Sequence, residues 1–338
     1  MSGPLPLPVS PHRLGSTRLS DGRTVGWAEF GDPDGDAVFW FPGTPGARCQ
    51  VPDDITTEAT RRRLRVITVE RPGTGDTAVF RYERIIDFVP DFVEMVDDLG
   101  VEQFGMVGFS GGGPFVLACA HELPDRMTGG VVLAGIGPTC GADAVISHTM
   151  LLRLVGGAIR SVANPLSTAF GAFIKTLGPY AGPIIDTFFQ FEVGDRTQMH
   201  TRPGTKTQLI ADLSDAAHRS GIRAPFEDLI LFGRHWGFEL GAIRVPITFW
   251  GGTSDIIVPY THAERQWKRV PGSSLHTMEG RGHFAGYTEV GMVLDYLREH
   301  WPAVRPADGG TKKASGKKAG GKKPPGKGAA KKSNRETA

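Results

Sequence analysis

The fold is decided by the stretch FGMVGFSGGGPFVLACA, residues 104–120. Its first four residues form an apolar run that predicts a buried strand, and residues 113–120 predict a packed helix. Between them, G-F-S-G-G places Ser110 at the centre of a G-x-S-x-G pattern, which is typical of a nucleophile elbow. Glycines suit this sharp turn because they avoid Cβ clashes and accept positive φ. We therefore expect the Ser110 hydroxyl to project from the top of a sheet.

Apolar runs and helical patterns alternate on both sides of this stretch. Short apolar runs between helices are typical of a parallel sheet that helices cover on both faces. Strands are predicted at 37–41, 64–69, 104–107, 129–135, 245–250 and 273–278, after a hairpin at 17–30. Helices are predicted at 85–99, 113–120 and 289–300. The predicted fold class is therefore α/β.

The alternation is interrupted between residues 139 and 244. This segment contains helix-like stretches, such as 151–159 and 207–220, and no clear strand. We interpret it as a helical cap over the active edge of the sheet, inserted after the sixth strand. The alternative is a structural helical subdomain without substrate contact. The predicted organisation is an N-terminal extension at 1–14, a core at 15–138 and 245–303, a cap at 139–244 and a tail at 304–338.

Charge is distributed unevenly along the chain. The 338 residues carry a net charge of +2, and 40% of them are apolar, which suits a soluble globular protein. Residues 309–338 hold nine Lys, one Arg and one Glu, so the body is mildly acidic and the tail strongly basic. A tail of Lys, Gly, Ala and Pro cannot bury enough apolar surface to fold. We therefore expect it to be disordered.

The cysteines and the N-terminus indicate the compartment. Three cysteines, Cys49, Cys119 and Cys140, are too few for a disulfide framework and suit a reducing environment. Residues 1–11 are rich in Pro and lack the apolar core of a secretory signal. No apolar run reaches the ~20 residues of a membrane helix. We therefore expect a cytoplasmic protein without integral membrane association.

Asp255 and His283, later in the sequence, are candidates for the groups that activate a serine nucleophile. A serine hydroxyl needs an adjacent base, usually a histidine that a carboxylate holds in the right tautomer. Asp255 follows the predicted strand 245–250, and His283 lies in a loop after the last predicted strand. The order Ser110, Asp255, His283 is the nucleophile–acid–histidine order that accompanies a G-x-S-x-G elbow. The simpler alternatives are a turn-capping role for Asp255 and a structural loop role for His283.

A glycine-rich loop at 42–46 supplies a candidate oxyanion hole. The tetrahedral intermediate of acyl transfer needs two preorganised donors. The backbone N–H of Gly111, directly after the nucleophile, is one candidate, and the N–H of Thr44 is the other. Pro45 cannot donate, because proline has no N–H. The alternative is a glycine-rich turn without a catalytic role.

Together these motifs resemble those of the α/β-hydrolase superfamily. The resemblance covers residues 15–303 and is carried by the loop 42–46, the turn 71–75, the elbow 108–114, Asp255 with the following 258–259, and the loop 282–284. The chain is similar to the capped single-domain hydrolases related to carboxylesterases, peptidases and dehalogenases. The resemblance implies an eight-stranded, mostly parallel sheet with one antiparallel strand near its start.

The oxyanion loop departs from the family's pattern at Pro42. Relatives usually have a histidine there, whose side chain braces the loop. We expect the fixed φ of proline to brace it in another way. Glu70 also stands where relatives often have Asp, and the sequence assigns it no function.

The leading functional hypothesis is a serine hydrolase that cleaves an ester-like bond of a small molecule through an acyl-enzyme. The bond is a carboxylic ester, a thioester or an amide. Related dehalogenases and epoxide hydrolases use an aspartate in place of Ser110, so those chemistries are disfavoured. Phenylalanines of the predicted cap favour an apolar acyl pocket or form the interior of the cap: Phe170, Phe173, Phe188, Phe189 and Phe191. No metal or nucleotide cofactor is predicted, because no Gly-Lys-Ser/Thr follows the elbow glycines and no cysteines have ligand spacing.

Two further hypotheses involve binding. The first is a hydrolase-fold protein whose site is catalytically silent. The second concerns the tail at 309–338, which resembles the basic tails of histone-H1-like proteins and predicts non-specific binding of nucleic acid or another polyanion. The tail has no aromatic residue that could stack on bases. A tail that only increases solubility is the alternative.

Overall fold

The computed structural model describes residues 8–153, 165–166, 168–169, 172–173, 176, 194–196, 201–218 and 223–302. The predicted tail and much of the predicted cap lie outside these described residues. Among the described residues between 139 and 244 there are helical segments and no strand.

One eight-stranded sheet forms the centre of the chain. Its strands are β1 Arg13–Arg18, β2 Thr24–Gly31, β3 Asp36–Phe41, β4 Leu64–Val69, β5 Phe104–Phe109, β6 Met127–Leu133, β7 Ile247–Gly252 and β8 Ser274–Met278. Their order is β1-β2-β4-β3-β5-β6-β7-β8. β2 runs antiparallel to both of its neighbours, and every pairing from β4 to β8 is parallel. The α/β class and a mostly parallel sheet with one antiparallel strand near its start are thereby confirmed.

Helices cover both faces of the sheet. Those described are α1 Ile55–Arg61, α2 Val89–Asp98, α3 Gly113–Glu122, α4 Pro203–His218, α5 Ala224–Phe232, α6 Thr261–Arg269, α7 Ala285–Thr288 and α8 Val290–Glu299. Side chains of β3 alternate between the two faces. Phe39 and Phe41 join the core under α2 and α3, whereas Val38 and Trp40 join the core under α1 and α8. Burial on both faces explains why β3 is apolar throughout.

A few helices and strands begin or end at residues other than the predicted ones. The predicted helix 85–99 begins as a 3-10 turn, Ile85–Phe88, and becomes α-helical at Val89. Pro90 explains this boundary, because a proline lacks an N–H and is tolerated only in the first helical turn. β1 begins at Arg13, within the predicted extension 1–14. Within the described ranges, no helix has the length and hydropathy to cross a membrane.

Helix α4 of the inserted segment is tied to the core by hydrogen bonds. The Gln208 side chain accepts from the backbone N–H of Val9 at 2.8 Å and donates to the carbonyl of Cys49 at 2.7 Å. One turn later, Asp212 accepts from the N–H groups of Ala47 and Cys49, both at 2.8 Å. The loop after β3, which carries the predicted oxyanion residue, is therefore anchored on the insertion.

Candidate active site

Ser110 lies at the sharp turn between β5 and α3. Its φ is +52°, a conformation that a residue with a Cβ adopts only where the surrounding structure enforces it. A Cβ on Gly108 would lie 2.6 Å from the carbonyl oxygen of Gly112, and a Cβ on Gly112 would lie 2.3 Å from that of Phe41. These glycines therefore permit close backbone approach, and the positive φ falls on the serine itself.

The carboxylate of Asp255 joins the loops that follow β7 and β8. Its Oδ1 accepts hydrogen bonds from the backbone N–H groups of Ile257 and Val258, both at 2.8 Å. Its Oδ2 lies 2.7 Å from Nδ1 of His283, and both side chains are buried. Asp255 is therefore a turn cap and the partner of His283 at the same time.

His283 is held against the elbow. Its ring centroid lies 5.0 Å from that of Phe109, the residue before Ser110. The next residue, Phe284, donates its backbone N–H to the carboxylate of Asp195 at 3.0 Å. Asp195 belongs to the segment inserted between β6 and β7, so that segment helps to hold the histidine loop.

A cavity of about 240 Å³ opens at Ser110. Thr44 and Gly111 contribute to its wall together with the serine. A Cβ on Gly111 would lie 2.3 Å from Oγ1 of Thr44, so these two residues are in contact. Most of the remaining lining is apolar: Ile136, Leu152, Leu229, Phe232, Ile257 and Val258. The predicted nucleophile and both predicted oxyanion residues therefore share one cavity.

His148 and Thr149 add polar atoms to the cavity wall. Behind them, Nδ1 of His262 accepts the backbone N–H of Gly137 at 2.8 Å, and Nε2 lies 2.8 Å from Oγ of Ser147 and 3.1 Å from Oγ1 of Thr149. Burial lowers the pKa of His262 to about 4, so its ring is neutral near pH 7. Because Nδ1 accepts, Nε2 carries the proton and donates to the hydroxyls. His262 therefore supports the wall of the cavity through hydrogen bonds at both ring nitrogens.

Arg71 holds the loop that carries Thr44. Its guanidinium donates to the backbone carbonyls of Pro42 and Gly43, and Nη2 also lies 2.9 Å from Oγ1 of Thr44. Its Nε donates to Oδ2 of Asp228 at 2.7 Å, and the same oxygen accepts from the Thr44 hydroxyl at 2.6 Å. Hydrogen bonds from Arg71 thus brace the loop, where the sequence predicted bracing by the fixed φ of Pro42.

The ion pair between Arg71 and Asp228 is shielded from water, with 1% and 5% of the two side chains exposed. Burial raises the pKa of Asp228 above its ordinary value, and the Arg71 guanidinium and the Thr44 hydroxyl oppose this shift. A buried charge is tolerated where a counter-ion and hydrogen bonds replace its hydration. Both ions of this pair have such partners.

Glu70 is a second buried carboxyl group, and its partner Arg48 lies in the segment that follows β3. Its Oε1 lies 3.3 Å from Nε of Arg48, and its Oε2 accepts the backbone N–H of Asp76 at 2.7 Å. Burial raises the pKa of Glu70 from 4.5 to about 7, although Arg48 opposes the shift. The carboxylates of Asp76 and Asp212 add to the increase. Glu70, to which the sequence assigns no function, therefore titrates near neutral pH.

Of the five phenylalanines predicted for the acyl pocket or the interior of the cap, one is described. Phe173 is half exposed at the surface. Four others, Phe170, Phe188, Phe189 and Phe191, lie outside the described residues. In the described part of the chain, the phenylalanine that lines the cavity is Phe232 on α5.

Arg71 and Asp228 are the residues that sequence reasoning missed. Arg71 stands in the turn 71–75, which carried the family resemblance without a role for its first residue. Asp228 and its neighbour Glu227 interrupt the apolar sequence of α5. An acidic pair within an apolar helix is a sequence signal of a buried, partnered carboxylate, because unpaired Asp and Glu are almost never fully buried.

No metal site accompanies these groups in the described part of the chain. There, no cluster of three or more His, Cys, Asp or Glu side chains is arranged to hold an ion.

Solved structures share this architecture. An alpha/beta hydrolase fold protein from Chitinophaga pinensis superposes with a TM-score of 0.62 at 16% identity, covering 86% of this chain and 96% of that chain. An esterase from Thermogutta terrifontis superposes with a TM-score of 0.60 at 16% identity, covering 85% of this chain and 99% of that chain. At this level of identity, the likeness concerns the fold alone.

The sequence of this chain is similar to those of curated proteins that carry different names. A 2-hydroxy-6-oxononadienedioate/2-hydroxy-6-oxononatrienedioate hydrolase from Pseudomonas putida is 25% identical over 241 residues, which cover 69% of this chain and 77% of that protein. A proline iminopeptidase from Arabidopsis thaliana is 28% identical over 137 residues, which cover 38% of this chain. The latter match spans only 34% of the peptidase's own length.

A match to a family model shows the family of this chain. The model described as the alpha/beta hydrolase family matches residues 31–290, which is most of the chain. The matched range extends from the end of β2 to the start of α8 and includes Ser110, Asp255 and His283. The chain belongs to the alpha/beta hydrolase family.

Proposed function

We propose that the protein is a serine hydrolase that cleaves an ester-like bond of a small apolar substrate through an acyl-enzyme. The observation that carries the proposal is the 2.7 Å hydrogen bond between Asp255 and His283, beside an elbow that holds Ser110 at a φ of +52°. A buried carboxylate on Nδ1 is the partner that a general-base histidine needs. Membership of the alpha/beta hydrolase family supports hydrolysis as the type of reaction.

In the first half-reaction, Oγ of Ser110 attacks the substrate carbonyl carbon while Nε2 of His283 takes the hydroxyl proton. Asp255 accepts from Nδ1–H and stabilises the imidazolium. The backbone N–H groups of Gly111 and Thr44 stabilise the oxyanion. When the tetrahedral intermediate collapses, the bond to the leaving oxygen breaks and His283 returns the proton to it, so an alcohol departs. Water then attacks the acyl-enzyme in the same way and releases the acid and the free serine.

The cavity lining supports an apolar acyl group. Six apolar side chains surround the opening at Ser110, and the described lining contains no Lys or Arg. An acyl chain that carries a carboxylate, as in the name of the Pseudomonas putida relative, would find no Lys or Arg among the described lining residues. Burial of an alkyl chain contributes about 0.8 kcal/mol per CH₂ group. We therefore propose uncharged alkyl or aryl esters as the substrate class.

A series of p-nitrophenyl esters from acetate to decanoate tests this proposal. We expect kcat/KM to rise with chain length while added CH₂ groups enter the cavity, and to fall once the chain is too long for it. Ser110→Ala should lose at least about 10³-fold in kcat, because it removes the nucleophile. A fluorophosphonate probe should label the wild type and the control Ser274→Ala, an exposed serine on β8, but not Ser110→Ala.

The outcomes separate the alternatives. A wild type that neither hydrolyses esters nor reacts with the probe contradicts the proposal and favours a catalytically silent binding protein. A wild type that reacts with the probe but cleaves only amino-acid anilides contradicts the ester substrate and retains the nucleophile. Equal ester hydrolysis by the wild type and Ser110→Ala would remove Ser110 from the mechanism.

The basic tail supports a separate proposal about partners. Its nine Lys and one Arg against one Glu favour non-specific binding of nucleic acid or another polyanion through counterion release. An electrophoretic shift at low salt should be clear for the full chain and lost after truncation behind Ala307. It should also weaken steeply as salt rises. Equal shifts for the two proteins would contradict the proposal.

A further inference from the structure

The buried pair of Arg71 and Asp228 joins two distant parts of the sequence. Arg71 follows β4 in the core, and Asp228 lies 157 positions later on α5 of the inserted segment. Stability alone does not require such a pair, since well-packed apolar residues of similar volume often stabilise a protein equally well. The contacts that the pair makes with its surroundings therefore indicate its role.

Those contacts converge on the peptide group that carries the Thr44 N–H. Nη2 of Arg71 donates to the carbonyl of Gly43, which shares one planar peptide unit with that N–H. The Gly43–Thr44 peptide unit is trans, so its C=O and N–H point in opposite directions. Holding the Gly43 carbonyl therefore orients the Thr44 N–H.

Asp228 completes the arrangement from the side of the insertion. Its Oδ2 accepts from Nε of Arg71 at 2.7 Å and from the Thr44 hydroxyl at 2.6 Å. One carboxylate oxygen thus holds both the guanidinium that orients the peptide and the side chain of the donor residue. A neutral amide at this position could still accept one hydrogen bond, but it would no longer balance the charge of Arg71.

We propose that Arg71 and Asp228 are positioning residues for the oxyanion hole, so that helix α5 of the insertion sets the direction of the Thr44 N–H. The inference rests on the proposed function, because it assigns a task in the same hydrolysis. Neither residue touches the reacting atoms. Both act through the loop 42–46.

The same helix also contacts the substrate cavity. Leu229, directly after Asp228, and Phe232 line the wall around Ser110. An acyl group that fills the cavity therefore packs against the helix whose carboxylate holds the oxyanion loop. Acyl-chain fit is then expressed in kcat as well as in KM, since binding energy is used to align a group that stabilises the transition state.

Glu227 on the same helix offers a matched control. Its carboxylate accepts from Nε and Nη2 of Arg81, in the segment that follows the turn 71–75, and pairs with Arg223. Glu227→Gln therefore weakens ion pairs that also join α5 to the core, as the pair of Asp228 and Arg71 does. Its bonds do not lead to the oxyanion loop.

The test compares Asp228→Asn with Glu227→Gln in the full chain. Measured are kcat and KM for the best p-nitrophenyl ester and the Kd of an alkyl trifluoromethyl ketone, whose adduct with serine carries a charged oxygen. We expect Asp228→Asn to lower kcat by about 10- to 100-fold, less than the 10²- to 10³-fold that follows the removal of a donor itself. KM should stay within about threefold, and ketone affinity should fall by the same factor as kcat. Glu227→Gln should keep kcat and ketone affinity within about twofold.

Thr44→Val is the second variant, in case Asp228→Asn fails to fold. It keeps the backbone N–H and the side-chain volume but removes the hydroxyl that Asp228 holds, and it should lower kcat and ketone affinity in the same direction. Equal losses in Asp228→Asn and Glu227→Gln, or a loss confined to KM, would overturn the inference alone. Absence of any reaction of the wild type with esters and ketone would overturn the proposed function and the inference with it.

Discussion

The two halves of the candidate site are held in different ways. Asp255 and His283 lie in the loops directly after β7 and β8, and one 2.7 Å hydrogen bond joins them. Thr44 lies after β3, but its loop depends on Arg71 and on Asp228 of the inserted segment. The order of the strands therefore brings Asp255 and His283 together, with Asp195 supporting the histidine loop, whereas the loop of Thr44 depends on an ion pair between distant parts of the sequence.

The largest effect is expected in the half with Asp255 and His283, for which we propose proton transfer. Asp255→Asn keeps an oxygen for the N–H groups of Ile257 and Val258, so the loop should survive. The amide would donate to Nδ1 of His283, which forces the proton onto Nε2 and prevents that nitrogen from accepting the proton of Ser110. We expect kcat to fall by about 10⁴-fold, as for a wrong tautomer in other triads.

Ester hydrolysis by Asp255→Asn under saturating substrate checks this prediction. Circular dichroism and denaturant unfolding serve as controls for the fold. A variant that retains more than a tenth of the wild-type kcat would show that His283 does not depend on Asp255 for its tautomer.

The next effect is a pH dependence of stability in the oxyanion half. Because the pKa of Glu70 is about 7 in the folded chain and 4.5 ordinarily, folding favours the protonated carboxyl. This contribution to the free energy of unfolding is fully present below about pH 4.5 and is lost as the pH rises towards 7. The loss amounts to about 1.4 kcal/mol per pH unit, or about 3 kcal/mol in total.

Urea unfolding of the wild type and Glu70→Gln at a series of pH values measures this contribution. The stability of the wild type relative to the variant should decline from pH 5 to pH 8. Glu299→Gln, at an exposed position on α8, is the control and should run parallel to the wild type. A constant difference between the wild type and Glu70→Gln would contradict the raised pKa.

A smaller effect is expected in a double-mutant cycle of Arg71→Gln and Asp228→Asn. If the two residues act as one unit, the double variant should be no slower than the worse single variant, with a coupling free energy of about 1–3 kcal/mol. It should also unfold at higher urea than either single variant, because no buried charge is left unpaired. A second cycle combines Asp228→Asn with Asp255→Asn, one variant from each half of the site. The factors by which the two variants lower kcat should multiply in the double variant. Coupling between these two variants would contradict the independent support of the two halves.

The smallest effect concerns the fit of the acyl group. Leu229→Phe narrows the cavity and should lower kcat/KM for long esters by about tenfold, or about 1.4 kcal/mol, while acetate is affected less. Leu151→Phe is the matched control, since Leu151 is largely exposed. Rates across the ester series give the readout, and an unchanged length profile would place the acyl group elsewhere.

The sheet and the half of the site with Asp255 and His283 were predictable because their signals are local. An apolar run such as β3 reports burial on both faces, and residues directly after parallel strands gather at one edge of the sheet. The structure joins Asp255 to His283 as this placement requires. Their catalytic roles stay a prediction.

The support of the oxyanion loop was not predictable in the same way. Pro42 indicated that the usual histidine is missing, and the acidic pair in α5 indicates a partnered carboxylate, but neither pattern says that the partner of Asp228 lies 157 positions away. Composition does not say which face of a helix points inward, and four of the five phenylalanines chosen for the cavity lie outside the described residues and stay a prediction. Leu229 and Phe232 line the cavity through their position on α5, which only the three-dimensional arrangement reveals.

The carboxylate of Asp228 also limits how this chain can diversify. Suppose that the inserted segment were replaced by that of a relative with no acidic residue at the position of Asp228. Arg71 would then be buried without its counter-ion. Removing one partner of a buried pair costs about 3–5 kcal/mol, a large part of the 5–15 kcal/mol that keeps a typical domain folded. New substrate ranges are therefore more accessible through single substitutions around Leu229 and Phe232 than through exchange of the whole segment.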